Sequence, residues 1–72
     1  MAEFTYEIKE NLGSLSERGG WSLDFNLISW NHRAPSYDLR KWADDGRMGK
    51  GVSMSLDEVI ALRDLLNSLE LD

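Results

Sequence analysis

The ten residues from Trp21 to Trp30 constrain the fold of this chain more than any other feature. In WSLDFNLISW, the odd positions through 27 are large and apolar, whereas positions 22, 24 and 26 are polar. Alternation with a period of two is typical of a β-strand with one buried face. Ile28 and Trp30 break the polar series, so an apolar pair projects from the opposite, wetter face. We expect four side chains to share the core face: Trp21, Leu23, Phe25 and Leu27.

Three more segments have the composition of strands. Residues 4–9 alternate apolar and polar side chains, and we expect that strand to continue through Leu12, with Gly13 as a candidate bulge. Residues 37–42 and 50–54 are the third and fourth strand candidates. Turn-forming residues separate the strands: the segment 16–20 with its two glycines, a loop at 31–36 that contains Pro35, and a loop at 43–49.

The last element is predicted to be a helix. Ser55 and Glu58 have the spacing of a capping box, in which each side chain bonds a backbone amide near the other residue. Ile60 lies beside Leu56, off the main apolar stripe, which indicates a second apolar edge. The stripe at helical spacing consists of Val59, Leu62, Leu65, Leu66 and Leu69. We therefore predict an α+β fold over residues 1–72, a single domain in which a four-stranded antiparallel β-meander precedes one C-terminal α-helix.

The size of the chain predicts oligomerisation. A domain of 72 residues buries only about 60% of the surface that its unfolded chain exposes, so its monomer is marginally stable. Small domains compensate with disulfides, a metal or a partner subunit. The sequence has no cysteine and one histidine, which excludes disulfides and a thiolate or multi-histidine metal site. Oligomerisation is therefore the remedy that remains open.

Charge and hydropathy indicate the compartment and the partners. The first residues lack the basic and then apolar stretch of a signal peptide, and no apolar run has the length of a membrane span. We expect a cytoplasmic protein, associated with the nucleoid if the source is bacterial. The net charge of −5 disfavours a general nucleic-acid binder. Residues 30–53 are nevertheless locally positive, with five basic residues against three acids.

One candidate surface for binding follows from strand parity. If the second and third strands form a hairpin, Trp30, Trp42 and Arg40 stand together on the face opposite the core set. An indole offers a face on which any base can stack, and a guanidinium can pair with phosphate. Asp38 is interpreted as an orienting partner for Arg40 or for a backbone turn. The alternative is structural, with both tryptophans packed in the core or over an edge of the sheet.

The segment Gly46-Arg47-Met48-Gly49-Lys50-Gly51 is the second candidate. It lacks the spacing of a phosphate-binding P-loop, and a strand follows it instead of a helix. We interpret it as a flexible basic loop in which Arg47 and Lys50 touch a sugar-phosphate backbone, or else as a plain connection. Asp44 and Asp45 lack the spacing of a calcium loop, and His32 has no catalytic partners in sequence. We expect no enzymatic activity, no cofactor and no metal.

Several of these motifs together resemble a known family. Ile28-Ser29-Trp30-Asn31, Tyr37-Asp38-Leu39-Arg40 and Met48-Gly49-Lys50-Gly51-Val52 precede an amphipathic helix. Their order and spacing resemble the single-stranded-DNA-binding domain of the transcriptional coactivator positive cofactor four, and most closely its bacterial YdbC-type members. The resemblance covers residues 21–66. Gly49 stands where the coactivator has arginine, which together with the net acidity predicts weaker and more salt-sensitive binding than that of the eukaryotic relatives. The regulatory arm of the eukaryotic protein is absent, so a coactivator role is not implied.

The resemblance implies a β-β-β-β-α protomer that dimerises through its helices and holds unpaired strands with little sequence preference. Single-stranded DNA is the expected partner, with RNA as a further candidate. The rival hypothesis is a protein-interaction module that uses the exposed aromatic face of the sheet. The expected nucleic-acid contacts are Trp30, Arg33, Arg40, Lys41, Trp42, Arg47 and Lys50. The expected dimer contacts are Leu56, Val59, Ile60, Leu62 and Leu66.

Overall fold

A computed structural model describes residues 5–71 of the chain. In chain order its elements are β1 (Tyr6–Arg18), β2 (Trp21–Trp30), β3 (Ser36–Ala43), β4 (Met48–Met54) and α1 (Leu56–Ser68). The strands form one antiparallel sheet in the order β1-β2-β3-β4. The predicted fold, a four-stranded antiparallel meander followed by one helix, is confirmed.

The strand β1 is longer than predicted. The prediction for residues 4–12 begins outside the described residues, and the strand continues to Arg18. Its pairing with β2 shifts register three times, and one shift lies between Asn11 and Gly13, where a bulge is expected. Each shift moves the following side chains to the other face of the sheet. The second half of β1 therefore lacks the alternation that identifies a strand. The sequence predicts a turn over 16–20 instead, because that segment has turn-forming composition.

The turns follow the glycines. Gly19 and Gly20 connect β1 to β2 with φ of 59° and 82°, a region that residues with a Cβ rarely adopt. The β3–β4 connection is shorter than the predicted loop 43–49, because β4 already begins at Met48. At the other end of the sheet, the Asn31 backbone N–H donates to the Thr5 carbonyl at 2.8 Å, and the Thr5 N–H donates to Asn31 Oδ1 at 2.9 Å.

The sheet is strongly curved, and one aromatic contact demonstrates it. Tyr6 is opposite Trp30 in the β1–β2 ladder, whereas Trp42 is opposite Ser22, which lies eight positions before Trp30 in β2. In a flat sheet that offset corresponds to about 26 Å. The Tyr6 ring centroid nevertheless lies 5.8 Å from the ring centroids of both tryptophans. The face that carries Tyr6, Trp30 and Trp42 is therefore concave.

Curvature decides which face is the core of the protomer. On the concave face, Ile28 and Asp38 are 0% exposed and Asn26 is 1% exposed. The odd-numbered set of β2, from Trp21 to Leu27, shares the opposite convex face as predicted but is only half-buried. The expectation that this set forms the core is wrong for the protomer. Tyr6 of β1 packs on the concave side against Trp30 and Trp42.

The helix α1 begins as predicted and then leaves the sheet. Ser55 Oγ accepts from the Glu58 N–H at 3.2 Å, and a Glu58 carboxylate oxygen accepts from the Ser55 N–H at 2.8 Å, so the capping box is confirmed. The helix touches only β3 and β4, and none of its residues is buried. Leu65 is 57% exposed. The predicted apolar stripe is therefore uncovered in one protomer.

None of the helices among residues 5–71 is long and apolar enough to cross a lipid bilayer.

Candidate nucleic-acid interface

The first predicted surface, around Trp30 and Trp42, is a packed cluster on the concave face. Both indoles contact the Tyr6 ring, and the Arg40 guanidinium carbon lies 5.1 Å from the centroid of the Trp30 ring. The Trp42 indole Nε1 lies 3.3 Å from the side-chain amide of Asn26, whose oxygen can accept its proton. The structure thus brings Trp30, Trp42 and Arg40 together as expected. Their contacts, however, are mainly with other members of this cluster.

Asp38 holds Arg40 in this cluster. Arg40 Nε donates to Asp38 Oδ2 and Arg40 Nη2 donates to Asp38 Oδ1, both at 2.9 Å. Ser53 Oγ donates to the same Oδ1 at 3.1 Å, and Arg40 Nη1 donates to the Gly49 carbonyl at 3.2 Å. A two-pronged pair of this kind fixes both side chains. The predicted role of Asp38 as the orienting partner of Arg40 is confirmed.

This geometry corrects two expectations about exposure. Trp42 is 8% exposed, so the expectation that its indole looks outward for stacking is wrong. The Arg40 side chain is 15% exposed, and its hydrogen bonds to Asp38 and Gly49 occupy Nε, Nη1 and Nη2. Arg40 therefore organises the concave face and has little surface left for a phosphate. Parity places these residues on the correct face but cannot show that the face is covered.

Lys41, Arg47 and Lys50, three other residues predicted as contacts, lie at the end of the sheet where the β1–β2 and β3–β4 turns meet. The Asp44 N–H donates to the Gly20 carbonyl at 2.9 Å, which links the two turns. A groove of about 680 Å³ opens beside them. We call it the Trp21 groove; it is lined by Ser16, Arg18, Trp21, Ser22, Leu23, Leu39, Lys41, Gly49, Lys50 and Gly51.

Strand register explains why cations surround Trp21. Arg18 is opposite Trp21 across the β1–β2 ladder, and Lys41 is opposite Leu23 across the β2–β3 ladder. Because the meander is antiparallel, the β3–β4 turn returns to the same end and carries Arg47. The Arg47 guanidinium carbon lies 5.8 Å from the centroid of the Trp21 ring, and its Nε is 2.9 Å from Asp45 Oδ2. Arg47 thus lies over the indole at the border of the groove.

The glycines of β4 have a steric role that the sequence does not reveal. A methyl group added at Gly49 would lie 2.8 Å from Trp21 Cζ3 and 3.0 Å from the Lys41 carbonyl oxygen. At Gly51 it would lie 2.5 Å from the Leu39 carbonyl oxygen. The interpretation of residues 46–51 as a flexible basic loop is wrong for residues 48–51, which form the start of β4. Glycine is needed there because neighbouring groups approach closely.

Charge separates the Trp21 groove from the rest of the sheet. Arg18, Lys41 and Lys50 line it, and its lining contains no carboxylate, although the chain has 13 acids against 8 basic residues. A smaller hollow of about 270 Å³ on the concave face is lined by Asp24 and by no cation. The local charge therefore favours an anionic ligand at the groove over the hollow.

Arg33 stands apart from this group. It is an exposed residue of the β2–β3 loop, at the opposite end of the hairpin from Lys41. Its carbonyl accepts from Ser29 Oγ at 2.6 Å, which fixes the loop backbone beside Trp30. The structure thus places the predicted contacts at two ends of the sheet.

Sequence reasoning misses Trp21 and Arg18 as site residues. The parity that Trp21 shares with Leu23 and Phe25 predicts a core position, and Arg18 belongs to a segment of turn-forming composition. One signal is available in the sequence: Trp21 directly follows the double glycine, so it lies at the end of a strand. Within residues 5–71 no group of three or more His, Asp or Glu side chains is arranged to hold a metal ion.

The fold and the groove define a small β-sheet protein with a basic, aromatic recess. No family model matches the sequence. The chain is 53% identical over 72 aligned residues to an uncharacterized protein of Treponema pallidum (strain Nichols). That match covers 97% of this chain and 85% of the relative. The chain therefore belongs to the same family as the treponemal protein.

Proposed function

We propose that this protein binds single-stranded nucleic acid with little sequence preference and catalyses no reaction. Single-stranded DNA is the first candidate ligand and RNA the second. The observation that carries the proposal is the gathering of Arg18, Lys41 and Lys50 in a recess without carboxylates, in a chain of net charge −5. Segregation of this kind is what a phosphate backbone requires, since local potential determines where an anion binds.

The shape of the surface favours unpaired strands over a duplex. The basic recess is a narrow groove beside an aromatic ring, and the described part of the chain presents no helix to a major groove there. In a duplex the bases are stacked on one another, so an aromatic side chain reaches them only after unstacking. In a single strand the bases are accessible to it, and every base has a face that can stack. Weak sequence preference follows.

We also propose that the binding unit is a homodimer in the cytoplasm, associated with the nucleoid if the source is bacterial. The leucine-rich stripe of α1 is largely exposed in the single chain. Pairing two protomers through Leu56, Val59, Ile60, Leu62 and Leu66 would remove this apolar surface from water. Two copies of the basic groove would then act on one strand.

A titration of fluorescein-labelled oligo-dT tests the proposal. We expect binding that weakens steeply with added salt and is much weaker for the matching duplex. Lys41→Ala and Lys50→Ala should each lower the affinity and reduce the slope of log K against log salt by about 0.7, because each variant neutralises one phosphate fewer than wild type. Lys9→Ala removes the same charge from the exposed start of β1, at the other end of that strand from Arg18, and should change the affinity little.

Two results would overturn the proposal. One is the absence of binding to single strands at low salt. The other is a Lys9→Ala variant that loses as much affinity as Lys41→Ala, since the attraction would then depend only on total charge.

The uncovered apolar stripe also favours a second candidate function, a protein-interaction module. Leu65 and Leu69 are 57% and 49% exposed, as expected for a surface that another polypeptide covers. Salt separates the two functions, because an apolar interface tolerates added salt, whereas phosphate contacts weaken with it.

A further inference from the structure

We infer that the Trp21 groove holds one base of the bound strand, stacked on Trp21, so that Trp21 is the principal aromatic contact instead of Trp42. This inference rests on the proposed function and specifies the site within it. Three independent features of the groove support it: its floor, its charged rim and the fixed position of the indole.

The floor of the groove suits a planar, largely apolar ligand. Trp21 and Leu23 are consecutive convex-face residues of β2, and Leu39 of β3 completes the surface. All three are half-buried, so part of each side chain is accessible from the groove. The volume of about 680 Å³ lies within the range of about 300–1,000 Å³ that is usual for small-ligand sites. A nucleotide is a ligand of this class.

The rim suits the phosphates on either side of that base. Arg18 and Lys41 belong to the two strands that flank β2, and Lys50 belongs to β4, so cations border the floor from three strands. All three side chains are exposed, and within residues 5–71 no ion pair of theirs is found with a carboxylate. They can therefore turn to a phosphate without first breaking a salt bridge. Arg40 of the concave face cannot do so.

The indole is held in place before a ligand arrives. Its edge approaches β4 so closely that a methyl group at Gly49 would lie 2.8 Å from Trp21 Cζ3. The Arg47 guanidinium lies over the ring, 5.8 Å from its centroid, and the Asp45 carboxylate orients that guanidinium. Trp21 is only half-buried with Arg47 in this position, so part of its ring is left for a base to stack on. A preorganised ring loses little entropy on binding.

Matched tryptophan variants and an abasic strand test the inference. Trp21→Leu should weaken the affinity for oligo-dT by about five- to a hundredfold, as expected for the loss of one stacked base. For an oligonucleotide of abasic sites, wild type and Trp21→Leu should bind equally, because no base remains to stack. Trp30→Leu serves as the comparison and should change the affinity ratio between the two ligands less than Trp21→Leu does.

A second measurement on the wild-type chain does not depend on how the variants fold. An oligonucleotide carrying 5-iodouracil is irradiated in the complex, and the linked peptide is mapped by mass spectrometry. We expect the linkage at Trp21. Linkage elsewhere, together with unchanged oligo-dT affinity of Trp21→Leu, would refute the inference while leaving single-strand binding intact.

Two further outcomes would also overturn the inference. If wild type fails to bind oligo-dT at low salt, the proposed function and this site both fail. If Trp21→Leu changes the sedimentation of the free protein and leaves oligo-dT affinity unaltered, the groove is a contact between copies of the chain.

Discussion

Asp38–Arg40 and Asp45–Arg47 have the same composition and the same spacing of two residues, yet they lie in different environments. The Arg40 and Asp38 side chains are 15% and 0% exposed, whereas those of Arg47 and Asp45 are 73% and 60% exposed. Water screens the outer pair but not the inner one. The two pairs therefore provide an internal comparison of what burial does to an ion pair.

We predict that Asp38→Asn destabilises the fold by about 3–5 kcal/mol, because Arg40 would keep a buried charge with no counter-charge. Asp45→Asn makes the same chemical change at the exposed pair and should cost less than about 1 kcal/mol. Urea unfolding followed by far-ultraviolet circular dichroism measures both. Equal losses for the two variants would contradict the idea that Asp38 and Arg40 organise the concave face.

At the scale of elements, the two edge strands differ in how closely a neighbour approaches their glycines. The strand β4 passes so near to β3 that a Cβ at Gly51 would meet the Leu39 carbonyl oxygen at 2.5 Å. Gly13 of β1 has no such neighbour within 4 Å. Gly51 permits close pairing of β3 and β4, whereas Gly13 lies next to a register shift in β1.

We predict that Gly51→Ala destabilises the protein by about 1–3 kcal/mol or more, as overpacking does, because the backbones of β3 and β4 must separate. Gly13→Ala should be neutral or stabilise the fold by up to about 1 kcal/mol, since it restricts the unfolded chain without a clash. Thermal unfolding of the two variants in parallel tests this pair. A Gly51→Ala variant as stable as wild type would show that β4 is more adaptable than its packing indicates.

At the scale of the whole molecule, the apolar surface of one protomer is divided between a concave core and an uncovered stripe on α1. The opposite side of the helix carries the polar residues Asp57, Asp64 and Ser68, with Ala61 among them. A chain of 72 residues has little surplus stability with which to keep leucines in water. We therefore expect two copies of the chain to associate through this stripe.

We predict that Leu62→Glu shifts the protein from dimer to monomer in sedimentation equilibrium and lowers the unfolding midpoint. For the wild-type chain we expect an unfolding midpoint that rises with protein concentration, as mass action requires for a dimer. Ala61→Glu introduces the same charge on the polar side of α1 and should preserve the dimer. Sedimentation of the wild-type chain as a monomer at all concentrations would disprove helix-mediated dimerisation.

Signals that depend on neighbours in sequence predict most of the fold. The bounds of β2 follow from its alternation period, and the first turn follows from two glycines that can adopt positive φ. The start of α1 follows from the capping box at Ser55, whose hydrogen bonds span three residues. The order of elements follows from these local signals together. Only half of the strand β1 is predictable in this way, because its three register shifts disrupt the period that identifies a strand.

The candidate site is less predictable, because burial depends on residues far apart in sequence. Parity correctly places Trp30, Arg40 and Trp42 on one face, and the sequence correctly makes Asp38 the partner of Arg40. Only the curvature of the sheet, which brings Tyr6 of β1 against Trp42, decides that this face closes over the Trp42 indole. Only the antiparallel return of the chain brings Lys41 and Lys50 to Trp21, since three-dimensional proximity of charges is a property of the sheet and not of any segment.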